Sequence, residues 1–396
     1  MKLRRVPEDF QVDEQTRVRP EKGPFAFYRL TKTSIGTPEA ISAIVEKWNV
    51  HRKRISYGGL KDRHAVTTQF FTIHNGPKKS LQQKSLNVEY LGQIESPFTP
   101  AEIDGNRFRL VLRDMSAEDV QRSELAAKQI SETGLPNYFD NQRFGSLGQS
   151  GEWIARAWCL GNWERALWLA LADGHQGDSA SEKKQKQILR DLWGKWPECQ
   201  TSLDRSSRRS IVTYLSDKAK VGRDPDYRGA LARISVDLRG LYLSAYQSAI
   251  WNRLLTRYME SHCSADDLHP FELISGRCVF PLRLQAENAR QLCRESLPLP
   301  CARIERPEGL VGDLLDEVLR EEQIELREIR VKYPRDSFFS KGIRSVLIRP
   351  DALQWAASED EMYPGKQKLM LEFALPRGSY ATILVKRITD EDPGEL

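Results

Sequence analysis

Period-two alternation of apolar and polar residues at both ends of the chain constrains its fold more than any other feature. Phe108, Leu110 and Leu112 alternate with Arg107, Arg109, Val111 and Arg113, the pattern of a half-buried strand with a basic outer face. Near the other terminus Leu369, Leu371, Phe373 and Leu375 alternate with Met370, Glu372 and Ala374. Pro376-Arg377-Gly378 then turns the chain, and Tyr380 to Ile388 alternates once more. The spacing predicts a terminal β-hairpin, which needs a sheet to join. The middle has a different period. Trp163, Ala166, Leu167, Ala170 and Leu171 fall at helical spacing before Gly174, as do Leu243, Gln247, Ile250 and Leu254 further on. Between them, Asp178 to Gln187 is charge-rich and reads as a solvated helix or loop. A helical middle between strand-rich ends points to one domain inserted into another, sheet-based one, in an α+β chain.

The first segment reads as mixed α/β. Asp9–Gln15 and Ala26–Thr31 have strand character. Thr37 is placed to cap a helix with Pro38 at its first position. Ile41, Ile44, Val45 and Trp48 make one apolar helical face. Arg54 to Gly58 is a short strand broken by Gly58-Gly59, and Val66 to Ile73 is another, so Gly59 to Ala65 is a loop between strands. Ser116 with Asp119 opens a helix that stops near Gly134.

Composition narrows the class. A length of 396 residues suits two domains, and 40% hydrophobic with 29% charged residues fits a soluble globular chain. No run of about 18 apolar residues indicates a membrane helix, and the N-terminus lacks the apolar core of a targeting peptide. The six cysteines form no CxxC pair, so reduced thiols in a cytoplasmic enzyme without a structural metal are expected. Residues 1–64 carry 14 Lys+Arg against 8 Asp+Glu, which holds the whole of the net charge of +5. Such a field attracts a polyanion, although a solvated basic surface would look the same.

Two loops carry candidate chemistry. Gly58-Gly59-Leu60-Lys61-Asp62-Arg63-His64 sets one carboxylate between two cations, as a nucleophile or base requires; the plainer reading is a surface turn with local ion pairs. Asn137-Tyr138-Phe139-Asp140-Asn141-Gln142-Arg143-Phe144-Gly145 mixes aromatics, amides and an arginine, suited to bases and phosphates or to a packed aromatic turn.

Taken in order, these segments resemble the TruD family of RNA pseudouridine synthases. The resemblance rests on Pro7-Glu8-Asp9-Phe10-Gln11-Val12-Asp13-Glu14, Ser56 to Gln69, Gly105-Asn106-Arg107-Phe108, Pro136 to Gly145, Leu243 to Ser248 and Leu375 to Thr382. It implies a catalytic domain with a mixed, mainly antiparallel sheet over 1–136 and 346–396, and an inserted α/β TRUD domain over 137–345. It implies isomerisation of uridine to pseudouridine in RNA, most typically at position 13 in the D-arm of tRNA. No cofactor, metal, membrane or obligate protein partner is implied.

By the same resemblance Asp62 is the catalytic residue, supported by Arg4 as its counter-ion, Asn106 as a polar neighbour and Phe108 as the wall against the base. Phe10, Lys61, Gln69, Phe139 and Arg143 are expected to line the pocket or bind RNA. Where many relatives carry Gly-x-Gly-x-His, this chain has Gly23-Pro24-Phe25-Ala26-Phe27, so no role of that histidine transfers. The rival expectations are an RNA-binding or RNA-chaperone protein that keeps the fold without activity, and a nucleoside hydrolase using Asp62. The hydrolase lacks a second carboxylate at any motif.

Overall fold

The computed structural model describes residues 1–390 and packs as two compact units. The first comprises Met1–Asn137, Arg283–Cys293 and the chain from Leu347 onward; the second comprises Tyr138–Leu282 and Arg294–Val346. Arg283–Cys293 lies within the range expected for the insertion, yet it packs with the first unit. Its helix Ala286–Leu292 buries Ala289 and Leu292. No helix among the described residues is long and apolar enough to cross a membrane.

A nine-stranded sheet carries the first unit. Its strands are β1 (Phe10–Gln15), β2 (Phe25–Thr33), β3 (Ile55–Tyr57), β4 (Val66–His74), β5 (Leu81–Gln83), β6 (Leu86–Ile94), β7 (Gly105–Met115), Asp351–Glu359 and Gln367–Pro376. Across the sheet the order is Asp351–Glu359, Gln367–Pro376, β7, β1, β4, β2, β6, β5, with β3 also on β4. Among the described residues its pairings are antiparallel except that β1 runs parallel to β4, Gln11 opposite Val66 and Asp13 opposite Thr68. Two strands that point the same way begin at the same end of the sheet. Residues 1–9 and residues 58–65, which precede them, therefore arrive side by side.

Helix α1 (Thr37–Trp48) covers one face, burying Ala40, Ile41 and Ile44 against Ala26, Tyr28, Leu30, Phe71, Ile73 and Val88. Each fully buried side chain of this size contributes about 1.5–3 kcal/mol. Phe27, Phe70 and Phe98 form a smaller core on the other face, which explains the near-continuous apolar run of β2. Gly36, not Thr37, is the N-cap, because the Thr37 hydroxyl is engaged elsewhere, as described below. Helix α2 (Ala117–Thr133) opens on the expected Ser116–Asp119 capping box and ends at Gly134.

Two sequence expectations fail here for physical reasons. Tyr380–Ile388 is not a strand but part of the helix Ala381–Thr389, which packs on α2. Ala381, Leu384, Val385 and Ile388 are all buried at helical spacing, and that packing overrides the β-branched propensity. The strand Gln367–Pro376 instead pairs with Asp351–Glu359 before it and β7 beside it. Second, Arg113 does not extend the basic outer face. Leu112 lies opposite Leu369 and Met115 opposite Gln367, so Arg113 and Asp114 together face a single residue. This β-bulge, with Asp114 at φ 56°, breaks the alternation. Arg113 turns inward, reaching Asp9 at 2.9 Å and Asp360 and Glu361 at 3.0 Å each. Its backbone exchanges two 2.8 Å hydrogen bonds with Lys2, which ties the N-terminal segment to β7.

The second unit is mainly helical. Its central helix, Val236–His262, buries Tyr246 and Trp251 completely, and two small antiparallel ladders accompany it.

Arg113→Ala leaves the buried carboxylates of Asp9 and Asp360 without their cation. The substitution is expected to cost about 3–5 kcal/mol, read as a lower urea midpoint with an unchanged slope.

Candidate active site

The loop between β3 and β4 is held from beneath by buried polar groups. The Gln69 amide donates to the Gly59 carbonyl at 3.2 Å and accepts from the Thr37 hydroxyl at 2.7 Å. Thr37 Oγ1 in turn accepts the Lys61 N–H at 3.0 Å. The Lys32 ammonium donates to the carbonyls of Ile35 (2.7 Å), Lys61 (3.3 Å) and Asp62 (2.7 Å). Glycine at position 58 fits closely, since a Cβ there would fall 2.3 Å from Ile103 Cδ1 and that side chain would have to shift.

Within the loop, successive side chains diverge. Lys61 points inward, its ammonium 3.0 Å from Glu14 Oε2 and 2.5 Å from Asn106 Oδ1. Glu14 is fully buried, and its other oxygen accepts the Phe70 N–H at 2.9 Å. Asp62 points outward with 43% of its side chain exposed, and Arg4 Nη2 meets its Oδ2 at 3.0 Å. Arg4 is itself largely buried, lying 3.7 Å over the Phe10 ring. Burial pulls the Arg4 guanidinium below its ordinary pKa, and the Asp62 charge opposes that shift. Arg4 also adopts φ 59°, a left-handed conformation that costs a non-glycine residue about 1–2 kcal/mol. Asp9 enforces the turn around it by accepting the N–H groups of Arg5 (3.0 Å) and Val6 (3.2 Å).

Strand register supplies the wall. Val12 faces Phe108 and Glu14 faces Asn106 across β1 and β7, while Phe373 and Leu375 flank the same two residues on the other side. Phe10, Val12, Glu14, Asn106 and Phe108 therefore share one face of the sheet. Phe10 meets Phe108 edge-on at 6.4 Å, and Phe108 stacks on Phe373 at 5.3 Å. Gly105 permits this approach, because a Cβ there would lie 2.4 Å from the Leu375 carbonyl oxygen. The result is an exposed carboxylate clamped by a guanidinium that lies over the Phe10 ring, in a loop whose Lys61 holds the Asn106 amide.

The structure thus gathers Arg4, Phe10, Lys61, Asp62, Gln69, Asn106 and Phe108 in the first unit. Gln69 has no exposed surface and Lys61 only a small one, so both act here as supports of the loop. Phe139 and Arg143 belong to the second unit. There Asn252 bonds both the N–H (2.9 Å) and the carbonyl (2.8 Å) of Phe139. The Arg344 guanidinium lies 3.9 Å over the Phe139 ring and that of Arg143 5.6 Å from it. Sequence reasoning missed Glu14, Lys32, Thr37 as a clamp, and Arg344. A signal existed for Glu14, a charged residue at an inward position of a strand that otherwise alternates cleanly.

Comparison with known proteins gives the family of the chain. The family model of tRNA pseudouridine synthase D (TruD) matches residues 1–388. The tRNA pseudouridine synthase D 2 of Methanocaldococcus jannaschii is 32% identical, over 98% of this chain and 91% of its own. The tRNA pseudouridine synthase D of Leptospira interrogans is 28% identical, over 98% and 95%. A crystal structure of the tRNA pseudouridine synthase D of Methanosarcina mazei superposes with a TM-score of 0.74 at 26% identity, over 99% of this chain and 94% of that one. These matches extend over nearly the whole chain and make it an RNA-modifying isomerase. The chain belongs to the TruD family.

Thr37→Val keeps the shape of the side chain but removes both hydrogen bonds of the hydroxyl. It is expected to cost about 1–3 kcal/mol and to speed hydrogen exchange at the Lys61 amide. Unchanged protection of that amide would show that Thr37 does not hold the loop.

Proposed function

We propose that this enzyme converts uridine to pseudouridine in tRNA, at position 13 in the D-arm, with Asp62 as the nucleophile. The observation that carries the reading is the Arg4–Asp62 pair at 3.0 Å, whose guanidinium lies over the Phe10 ring, itself edge-on to Phe108. Most supports of this carboxylate are buried while the carboxylate itself is open. That arrangement suits a group which must meet a large substrate.

In the reaction the N1–C1′ bond breaks, the uracil turns, and C5 joins C1′; the proton lost from C5 is balanced by one gained at N1. The product is an isomer, so the chemistry requires no redox partner. Asp62 either attacks C1′ directly or assists formation of a glycal-type intermediate. Arg4 orients the carboxylate and supplies a fixed positive charge next to it. A uridine in folded RNA must leave its stack to be reached, and the Phe108 face offsets part of that cost. Asn106, held by Lys61, is placed to read the polar edge of the base. Arg143 and Arg344, on the second unit, offer guanidinium groups to phosphates. A cytoplasmic setting fits such a substrate.

The test is incubation with unmodified tRNA transcripts and mapping of pseudouridine by carbodiimide adducts. Wild type is expected to modify one D-arm uridine, and Asp62→Ala to give no product while retaining RNA affinity. Product from Asp62→Ala at the wild-type rate would remove Asp62 from the chemistry; RNA binding without product from either protein would mark a pure binder. Phe108→Ala is expected to lower kcat/KM by about 10–100-fold, the worth of roughly 1–3 kcal/mol of base stacking.

A further inference from the structure

Among the buried cations that the proposed chemistry leaves unused, one lies directly beneath the loop of Asp62. Lys32 lies on β2, where only 1% of its surface is exposed. Its cross-strand neighbours, Thr67 on β4 and Leu86 on β6, carry no charge. Its ammonium instead makes three hydrogen bonds to backbone carbonyls, those of Ile35, Lys61 and Asp62. Two of these belong to the loop residue under discussion and the one before it; the third belongs to the turn that enters α1. A buried lysine without a carboxylate in contact is uncommon, because removing an ammonium from water is costly unless its protons are all bonded. Here three carbonyls take three protons.

We propose that Lys32 is a positioning residue for the reaction, whose protonated ammonium fixes the backbone of Asp62 and so aims its carboxylate. This role rests on the reading of Asp62 as the nucleophile. The ammonium stands at the corner of two segments that also meet through the Thr37–Lys61 and Ser34–Ala65 hydrogen bonds and the Arg63–Glu39 pair. With Arg4 holding the carboxylate from one side and Lys32 the carbonyl from the other, Asp62 is fixed at both ends.

The arrangement works only with three N–H donors. A neutral amine has two, and its lone pair would face the third carbonyl and repel it. Burial, the largest influence, pulls the group down to about 8. Asp62 in the loop and Glu39 on α1 draw it upward, and Lys61 draws it down. The latch is therefore about half released at pH 8, engaged well below that and lost well above it. Folding stability moves the opposite way. Between about 8 and the ordinary lysine value of 10.5 the unfolded chain binds more protons, so this group's contribution to stability rises with pH across that window.

The experiment compares wild type with Lys32→Met and Lys32→Arg, measuring kcat, KM and RNA affinity on unmodified tRNA transcript from pH 6.5 to 9.5. Lys32→Met is expected to lose about 100-fold in kcat, as expected for a misplaced catalytic group, with RNA affinity within about twofold of wild type. Wild-type kcat is expected to fall above about pH 8, and Lys32→Arg, charged throughout, to lose that basic limb. Lys32→Met at wild-type kcat, or a basic limb that survives in Lys32→Arg, would overturn the proposal. Asp62→Ala, run in parallel, separates the two claims. If it remains active the nucleophile reading fails, whereas an inactive Asp62→Ala beside a fully active Lys32→Met defeats only the latch.

Discussion

The parallel register of β1 on β4 is the constraint from which the site follows. Among the described residues the other pairings of the sheet are antiparallel, and this parallel contact brings two chain entries to one end of it. One entry carries Arg4 and the other Asp62. A register slip of one residue would reverse every side chain of β1, taking Phe10 and Glu14 away from Phe108 and Asn106. The alternation of buried Phe10, Val12 and Glu14 with more exposed Gln11, Asp13 and Gln15 opposes that slip. The site geometry is therefore protected by the same burial that stabilises the sheet.

Charge is distributed around the loop in a consistent manner. Glu14 and Lys61 neutralise one another inside, Arg4 meets Asp62 at the boundary, and Arg63 meets Glu39 at 2.6 Å on the outside. The boundary pair joins an open carboxylate to a largely buried cation, whereas Arg63 and Glu39 are both open to solvent. Buried pairs of this kind are weak contributors to net stability, since desolvation consumes much of their attraction. Their value here is geometric, because each removes a degree of freedom from an eight-residue segment that has no regular structure of its own. The strained backbone of Arg4 belongs to the same account, as it is maintained by Asp9, Phe10 and the Lys2 bridge rather than by its own preference.

Much of this was legible in the sequence, and the exceptions have identifiable causes. Strands β1 to β4, helix α1 and the α2 caps follow from local periodicity and capping chemistry, which a sequence displays directly. The helix Ala381–Thr389 was misread because Thr382, Ile383, Val385 and Ile388 favour a strand locally, while its packing partner α2 lies far away in sequence. Arg113 was placed outside because a bulge is invisible without the partner strand. The expectation for Asp62, Arg4, Asn106 and Phe108 rests on motif resemblance, not on spacing. Lys32 and Glu14 escaped because a buried charge reveals its purpose only through its partners, and those are carbonyls and side chains remote in sequence.

The final strand of the sheet lies between β7 and Asp351–Glu359, so the wall behind Phe108 is completed by residues translated long after it. At a synthesis rate of about 10 residues per second, roughly half a minute separates Phe108 from Phe373 on the ribosome. During that interval β7 has an open edge, the kind of template on which nascent chains aggregate. Arg107 and Arg109, which in the finished molecule pair with Glu372 at 3.7 and 3.3 Å, have no such partner until that glutamate emerges. Their unpaired charges then serve as gatekeepers of an unfinished edge, and the same two arginines become its fastening once the last strand arrives.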